Sequence, residues 1–160
     1  MKTAILVDGG YYRKRAVHVL GKKTAKDRAQ ELYDYCYKHL FSNKSSSQKD
    51  YLYRIFYYDC PPIDKQIFHP LLKKNIDFSK SDTRKWTEDF FNYLSSKRKV
   101  ALRLGNLSES ETTYQLSYSK LKALLSNKIS LSDLKEDDFI LNMRQKGVDM
   151  MIGVDIASMA

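Results

Sequence analysis

Four aspartates and four neighbouring cations are the residues of this chain with the most chemistry in them. Asp8 closes the apolar run TAILV and is followed by Gly9 and Gly10. Asp59 closes YLYRIFYY and is followed by Cys60 and two prolines, and Asp149 and Asp155 lie in the final stretch QKGVDMMIGVDIASMA. Arg13, Lys14 and Arg15 follow the first acid, and Lys146 precedes the third. Such an acid has two readings. It can form a turn and do nothing more, or it can offer oxygen to a hard cation such as magnesium, which takes an octahedron of oxygens and keeps several waters. The second reading needs more than one carboxylate. The nearby cations suit a phosphodiester backbone, or equally a solvated face, and Gly9 and Gly10 give a phosphate room to approach the main chain.

The elements decide whether these acids can meet. Thr3 to Val7 is apolar without alternation, which predicts a central strand buried on both faces, with Asp8 at its carboxyl end. Lys26 to Leu40 carries Ala29, Leu32, Tyr33, Cys36 and Leu40 at helical spacing, and the polar stretch that follows, Phe41 to Lys49, reads as a surface loop. Tyr51 to Tyr58 predicts a second strand, which the prolines stop just after Asp59. Its tyrosines suit packing in a sheet, or stacking on bases. Ser81 to Lys97 predicts a helix capped by Ser81 or Asp82, with Trp86, Phe90, Phe91 and Leu94 on its apolar side. Lys99 to Leu104 predicts a third strand. Strands alternating with helices point to a parallel α/β sheet, whose ligands bind outside the carboxyl ends of the strands. Beyond Gly105 the pattern is less regular: a strand at Thr113 to Tyr118, a short helix at Lys120 to Leu125, a polar connection through SLSDLKEDD, and a strand at Phe139 to Arg144.

The last segment predicts a helix entered through Lys146 and Gly147. At about 100° per residue, Val148, Met151, Ile152, Asp155, Ile156 and Met159 share one side, and Asp155 lies near the middle of that apolar arc. A carboxylate there must meet a cation, a metal or hydrogen-bond donors, because a buried unpaired charge costs several kcal/mol. Asp149 lies about 120° away, so the two do not share one ion side by side. The arrangement favours Asp149 facing a site at the helix start, while Asp155 orders the surrounding shell or contacts a second ion. Taken singly, Asp149 is equally an ordinary first-turn acid and Asp155 equally half of a salt bridge.

The bulk properties bound the partners. The chain has 160 residues, 42% of them apolar and 29% charged, and it suits one compact domain spanning 1–160. A net charge of +9 favours a polyanion, with nucleic acid the obvious one. No apolar run is long enough for a membrane span and the start lacks a signal-type core, so no membrane partner and a cytoplasmic location are expected. Cys36 and Cys60 are too few for a disulfide framework and lack zinc-ligand spacing. They read as free buried thiols.

Four stretches in order, AILVDGGYYRKR, YRIFYYDCPP, KVALRLG and QKGVDMMIGVDIASMA, resemble the NYN domain, the LabA-like branch of the PIN-like nuclease superfamily. The resemblance implies a Rossmann-like, mostly parallel sheet with helices on both faces. It also implies a ribonuclease, of endoribonuclease type, dependent on Mg2+ or Mn2+. By motif, Asp8, Asp149 and Asp155 would be catalytic, with Asp8 and Asp149 as metal ligands, and Arg13, Lys14, Arg15 and Lys146 would hold RNA rather than DNA. Asp59 lies in a family-like segment and receives no catalytic role. The family's signature helix is followed by a strand ending in further acids, whereas this sequence ends at Ala160. The expectation is therefore a domain lacking its last strand or strands, completed by a second copy or a partner chain, or else a non-catalytic module that binds RNA or protein.

Overall fold

The computed structural model describes residues 2–41, 51–108 and 112–159. Its centre is a parallel sheet of three strands, β1 (Lys2–Asp8), β2 (Tyr51–Asp59) and β5 (Val100–Leu104), in the order β1-β2-β5. The register puts Asp8 beside Tyr58 and Asp59 beside Leu104, so the carboxyl ends of all three strands form one edge. The central strand is β2, not the first strand as its composition suggests. Every residue of β2 from Ile55 to Asp59 is buried, whereas Thr3 to Val7 are only half-buried. Helices cover both faces of the sheet, so an edge strand is apolar on both sides too. Its free backbone edge leaves no mark on the side-chain pattern.

Two helices fill the first crossover, α1 (Gly9–Leu20) and α2 (Ala25–Phe41), and α3 (Asp82–Ser95) follows β2. The helix α1 occupies a stretch for which the sequence predicts no element. Asp8 is its N-cap, with Oδ1 accepting from the Tyr11 N–H at 3.0 Å, which satisfies one donor of the first turn. Gly21, at φ 72°, ends it in a backbone region that favours glycine. Ser81 caps α3, as its sequence predicts.

One face of the sheet, carrying Ile5, Val7, Ile55, Tyr57, Val100 and Leu102, packs on Ala29, Leu32 and Cys36 of α2 and Phe90, Phe91 and Leu94 of α3. Fully burying each large apolar side chain contributes on the order of 1.5–3 kcal/mol, so this layer is the main source of stability. The opposite face, with Ala4, Leu6, Phe56, Tyr58 and Ala101, packs on Val148, Met151 and Ile152 of the last helix, α5 (Val148–Met159). Ile156 and Met159, expected in the same arc, are exposed.

A smaller layer lies beyond the carboxyl edge. The hairpin of β3 (Gln66–His69) and β4 (Lys74–Asp77) contacts a second antiparallel pair, β7 (Thr113–Leu116) with β8 (Phe139–Asn142). His69 sits between them, 4.4 Å from the Tyr114 ring and 5.2 Å from Phe139. The short strands β6 (Asn106–Leu107) and β9 (Gln145–Lys146) pair just past the end of β5. The helix α4 (Tyr118–Leu125) and two 3-10 turns within 131–138 complete the chain. The polar loop expected from Phe41 to Lys49 lies outside the described residues, except for Phe41, which closes α2. No helix among the described residues is long and apolar enough to cross a membrane.

Candidate functional site

The acids collect at the carboxyl edge of the sheet, in three different environments. Asp8 is exposed, and its Oδ1 is engaged by the cap of α1. Asp59, at the end of the neighbouring strand, is fully buried. Its Oδ1 accepts from Arg13 Nη2 at 2.9 Å and from the Cys60 N–H at 2.8 Å, and its Oδ2 accepts from the Tyr57 hydroxyl at 3.1 Å. Burial pushes the Asp59 carboxyl above its ordinary value, and the charge of nearby Asp8 adds to the rise. The Arg13 guanidinium and the two hydrogen bonds oppose it without cancelling it. The same burial, with Asp59 beside it, pushes the Tyr57 hydroxyl far up. Asp8 and Asp59 thus end adjacent strands, one wet and one dry.

Asp149 approaches the same edge from the other face of the sheet. Val148, the first residue of α5, packs against Tyr58 and against Cys60, just past the end of β2. The chain enters α5 from β9, which is paired just past the end of β5. The start of α5 therefore lies at the carboxyl edge, and Asp149, its second residue, is exposed there. Asp155 is placed differently. It lies lower on α5, where the Tyr58 hydroxyl donates to its Oδ2 at 2.8 Å. Arg103 donates Nε to Oδ2 at 3.0 Å and Nη2 to Oδ1 at 3.2 Å. The partner demanded by its position in an apolar arc is therefore an arginine and a tyrosine. Burial and the bond to Asp155 push the Tyr58 hydroxyl up.

The donor set fits a hard divalent cation in part. Asp8 and Asp149 offer exposed carboxylate oxygens, and magnesium commonly takes one or two protein carboxylates and completes its shell with water and substrate phosphate. Asp155 does not fit, because both its oxygens are taken by Arg103 and Tyr58. Among the described residues no group of three or more His, Cys, Asp or Glu could hold a metal ion.

The cations divide as well. On a helix, Arg13, Lys14 and Arg15 fan out at about 100° each, so they do not form one patch. Arg13 alone turns to the acids, reaching Asp59 and, at 3.4 Å, Thr87 Oγ1 of α3. Lys14 and Arg15 are exposed on the outside of α1, and Lys146 is exposed in β9. Gly9 has a packing role in place of the phosphate-approach role its composition suggests. A Cβ there would lie 2.6 Å from the Tyr57 ring and 2.6 Å from the Tyr58 carbonyl oxygen, so only glycine lets α1 start this close to β2. Sequence reasoning left Asp59 without a role. The signal available was its place at the end of an apolar strand, like that of the first acid.

The fold and this edge define an α/β protein with a parallel sheet that gathers carboxylates and an arginine where such sheets place ligands. No family model matches the chain, and no curated protein or solved structure matches it either.

Proposed function

We propose that this chain is a PIN-like domain of the NYN type that hydrolyses RNA phosphodiesters with Mg2+ or Mn2+. The observation that supports this most is the convergence on one sheet edge of acids from three elements, Asp8, Asp59 and Asp149, in a chain of net charge +9. Asp8 and Asp149 would hold the ion, which when bound supplies charge neutralisation at the phosphate and acidifies a water. Asp59 stays dry and paired, fixing Arg13 beside the edge, where its guanidinium can meet a phosphate oxygen. Asp155 acts at a distance, pinning α5 to the sheet through Arg103 and Tyr58.

A second reading is a module that binds RNA without cutting it. Its support is that Asp155 is fully engaged and that the described residues hold no triad of metal-ligating groups. Incubating labelled single-stranded RNA with manganese and the wild type, Asp8→Asn or Asp149→Asn separates the readings. The enzyme reading expects cleavage reduced by on the order of a hundredfold in both variants. Equal cleavage by all three proteins refutes it, and binding without cleavage by the wild type favours the module.

A further inference from the structure

A second feature shares Arg13 with the acidic edge. A cavity of about 400 Å³ opens between the turn that joins α1 to α2 and the start of α3, lined by Arg13, Val17, Lys22, Lys23, Arg28 and Trp86. Its size falls within the range of small-molecule sites, roughly 300–1,000 Å³. The turn is held from two sides. The buried Arg28 bonds the Gly21 carbonyl and Glu31, and the Trp86 indole N–H donates to the Lys23 carbonyl at 3.0 Å. Glu31 also pairs with Lys23. The lysines are therefore presented by a fixed backbone, and no carboxylate among the described residues pairs with Lys22. The indole lies parallel to the Phe90 ring, with centroids 5.3 Å apart and planes within 5°, so Phe90 fixes its orientation. Asp82 is the one acid on the rim.

We propose that this cavity is a subsite for one nucleotide of a single-stranded RNA, with the base against the Trp86 indole and the phosphate at Lys22 and Lys23. The inference deepens the RNA reading above and rests on it. Three observations carry it. The lining joins an aromatic plane and the apolar Val17 to a cationic rim, the combination that takes a base and its phosphate together. The charge of the whole chain favours a polyanion. Arg13 lines this cavity while bonded to Asp59, so the cavity and the acidic edge share this side chain. A duplex is excluded because its bases are stacked within the helix and cannot reach the indole.

Trp86 is the only tryptophan in the chain, so emission excited selectively in the indole, beyond the absorption of the twelve tyrosines, reports this cavity. The experiment titrates the full chain with single-stranded oligoadenylate in EDTA, which keeps the RNA intact, and follows emission alongside anisotropy of a labelled oligomer. Saturable quenching that tracks binding is expected, with affinity weakened about tenfold by Lys22→Glu and about tenfold by Trp86→Ala read by anisotropy. Lys22 is exposed, so its variant keeps the test open should Trp86→Ala fail to fold. Binding by anisotropy with unchanged emission overturns the proposal, as does full affinity in Lys22→Glu. Equal affinity for AMP or for a duplex of the same length overturns the single-strand assignment. Manganese-dependent cleavage with no quenching removes this subsite and leaves the nuclease reading standing. Quenching without cleavage does the reverse.

Discussion

Replacing Arg13 by methionine keeps much of the aliphatic stem and removes the guanidinium from Asp59. Breaking a buried ion pair by deleting one partner costs about 3–5 kcal/mol. Here Asp59 is wholly buried but Arg13 is 27% exposed, and the carboxylate keeps the Cys60 N–H and the Tyr57 hydroxyl. The cost therefore falls at or just below the lower end of that range, about 2–3 kcal/mol near pH 8. The sign of the pH dependence follows from the proton count. Burial already holds the Asp59 carboxyl above its ordinary value with Arg13 present, and removing the cation raises it further. The folded variant then binds a proton that the unfolded chain has released, so stability falls as pH rises through that interval. Each pH unit downward relieves about 1.4 kcal/mol until the group is protonated. Urea unfolding of wild type and Arg13→Met at pH 8 and at about pH 5 measures this, with the destabilisation expected to be smaller at the lower pH. Adding Asp59→Asn to the variant should recover most of the loss at pH 8, because no buried charge is then left unpaired. An equal loss at both pH values, or one that the second substitution leaves unchanged, refutes the assignment of Asp59 as a dry carboxylate held by Arg13.

Asp8 has two jobs that asparagine and alanine separate. Asp8→Asn preserves the cap of α1 and should leave thermal stability within about 0.5 kcal/mol, while Asp8→Ala costs about 1 kcal/mol, read by thermal unfolding. On the metal reading, both reduce manganese-dependent cleavage by on the order of a hundredfold. Gly9→Ala forces a methyl to within 2.6 Å of the Tyr57 ring and the Tyr58 carbonyl and should cost about 1–3 kcal/mol, read as a lower urea midpoint at unchanged slope. The Cys36 thiol is buried in the α2 layer and burial pushes it up to about 11, so it should resist a thiol reagent at pH 8 and react only on unfolding.

The strands and the larger helices were legible because their residues are chosen by packing. The IFYY end of the YLYRIFYY run is apolar on both faces because both faces are covered there, and Phe90, Phe91 and Leu94 recur at helical spacing because one side of α3 meets the sheet. The helix α1 was not legible. Its sequence GGYYRKRAVHVL starts with the two poorest non-proline helix formers, and only Gly9 and Ala16 are buried, so it carries no apolar stripe. It forms because the cap at Asp8 and the close seat of Gly9 on Tyr57 fix its first turn. Missing that helix also hid the division of Arg13 from Lys14 and Arg15, which are neighbours in sequence and diverge in space.

The same geometry separates two kinds of aspartate that the sequence presents alike. Asp155 had to find a partner because its helical phase puts it among Val148, Met151 and Ile152, and that demand could be read from the sequence alone. Which partner it found could not, since Arg103 and Tyr58 lie on two other strands and meet it only through the order β1-β2-β5. Asp59 carries the converse lesson. Strand alternation sends Ile55, Tyr57 and Asp59 to the α2 and α3 face, so the acid enters a dry layer and needs the one cation that α1 turns toward it. Asp8 ends the adjacent strand one register position earlier, at Tyr58, and so stays wet while raising the cost of a charge on Asp59. On the proposed reading, a cation or a phosphate arriving at these two strand ends would meet one carboxylate open to solvent and one already committed to an arginine. That asymmetry favours binding through Asp8, with Arg13 kept in place for the anion.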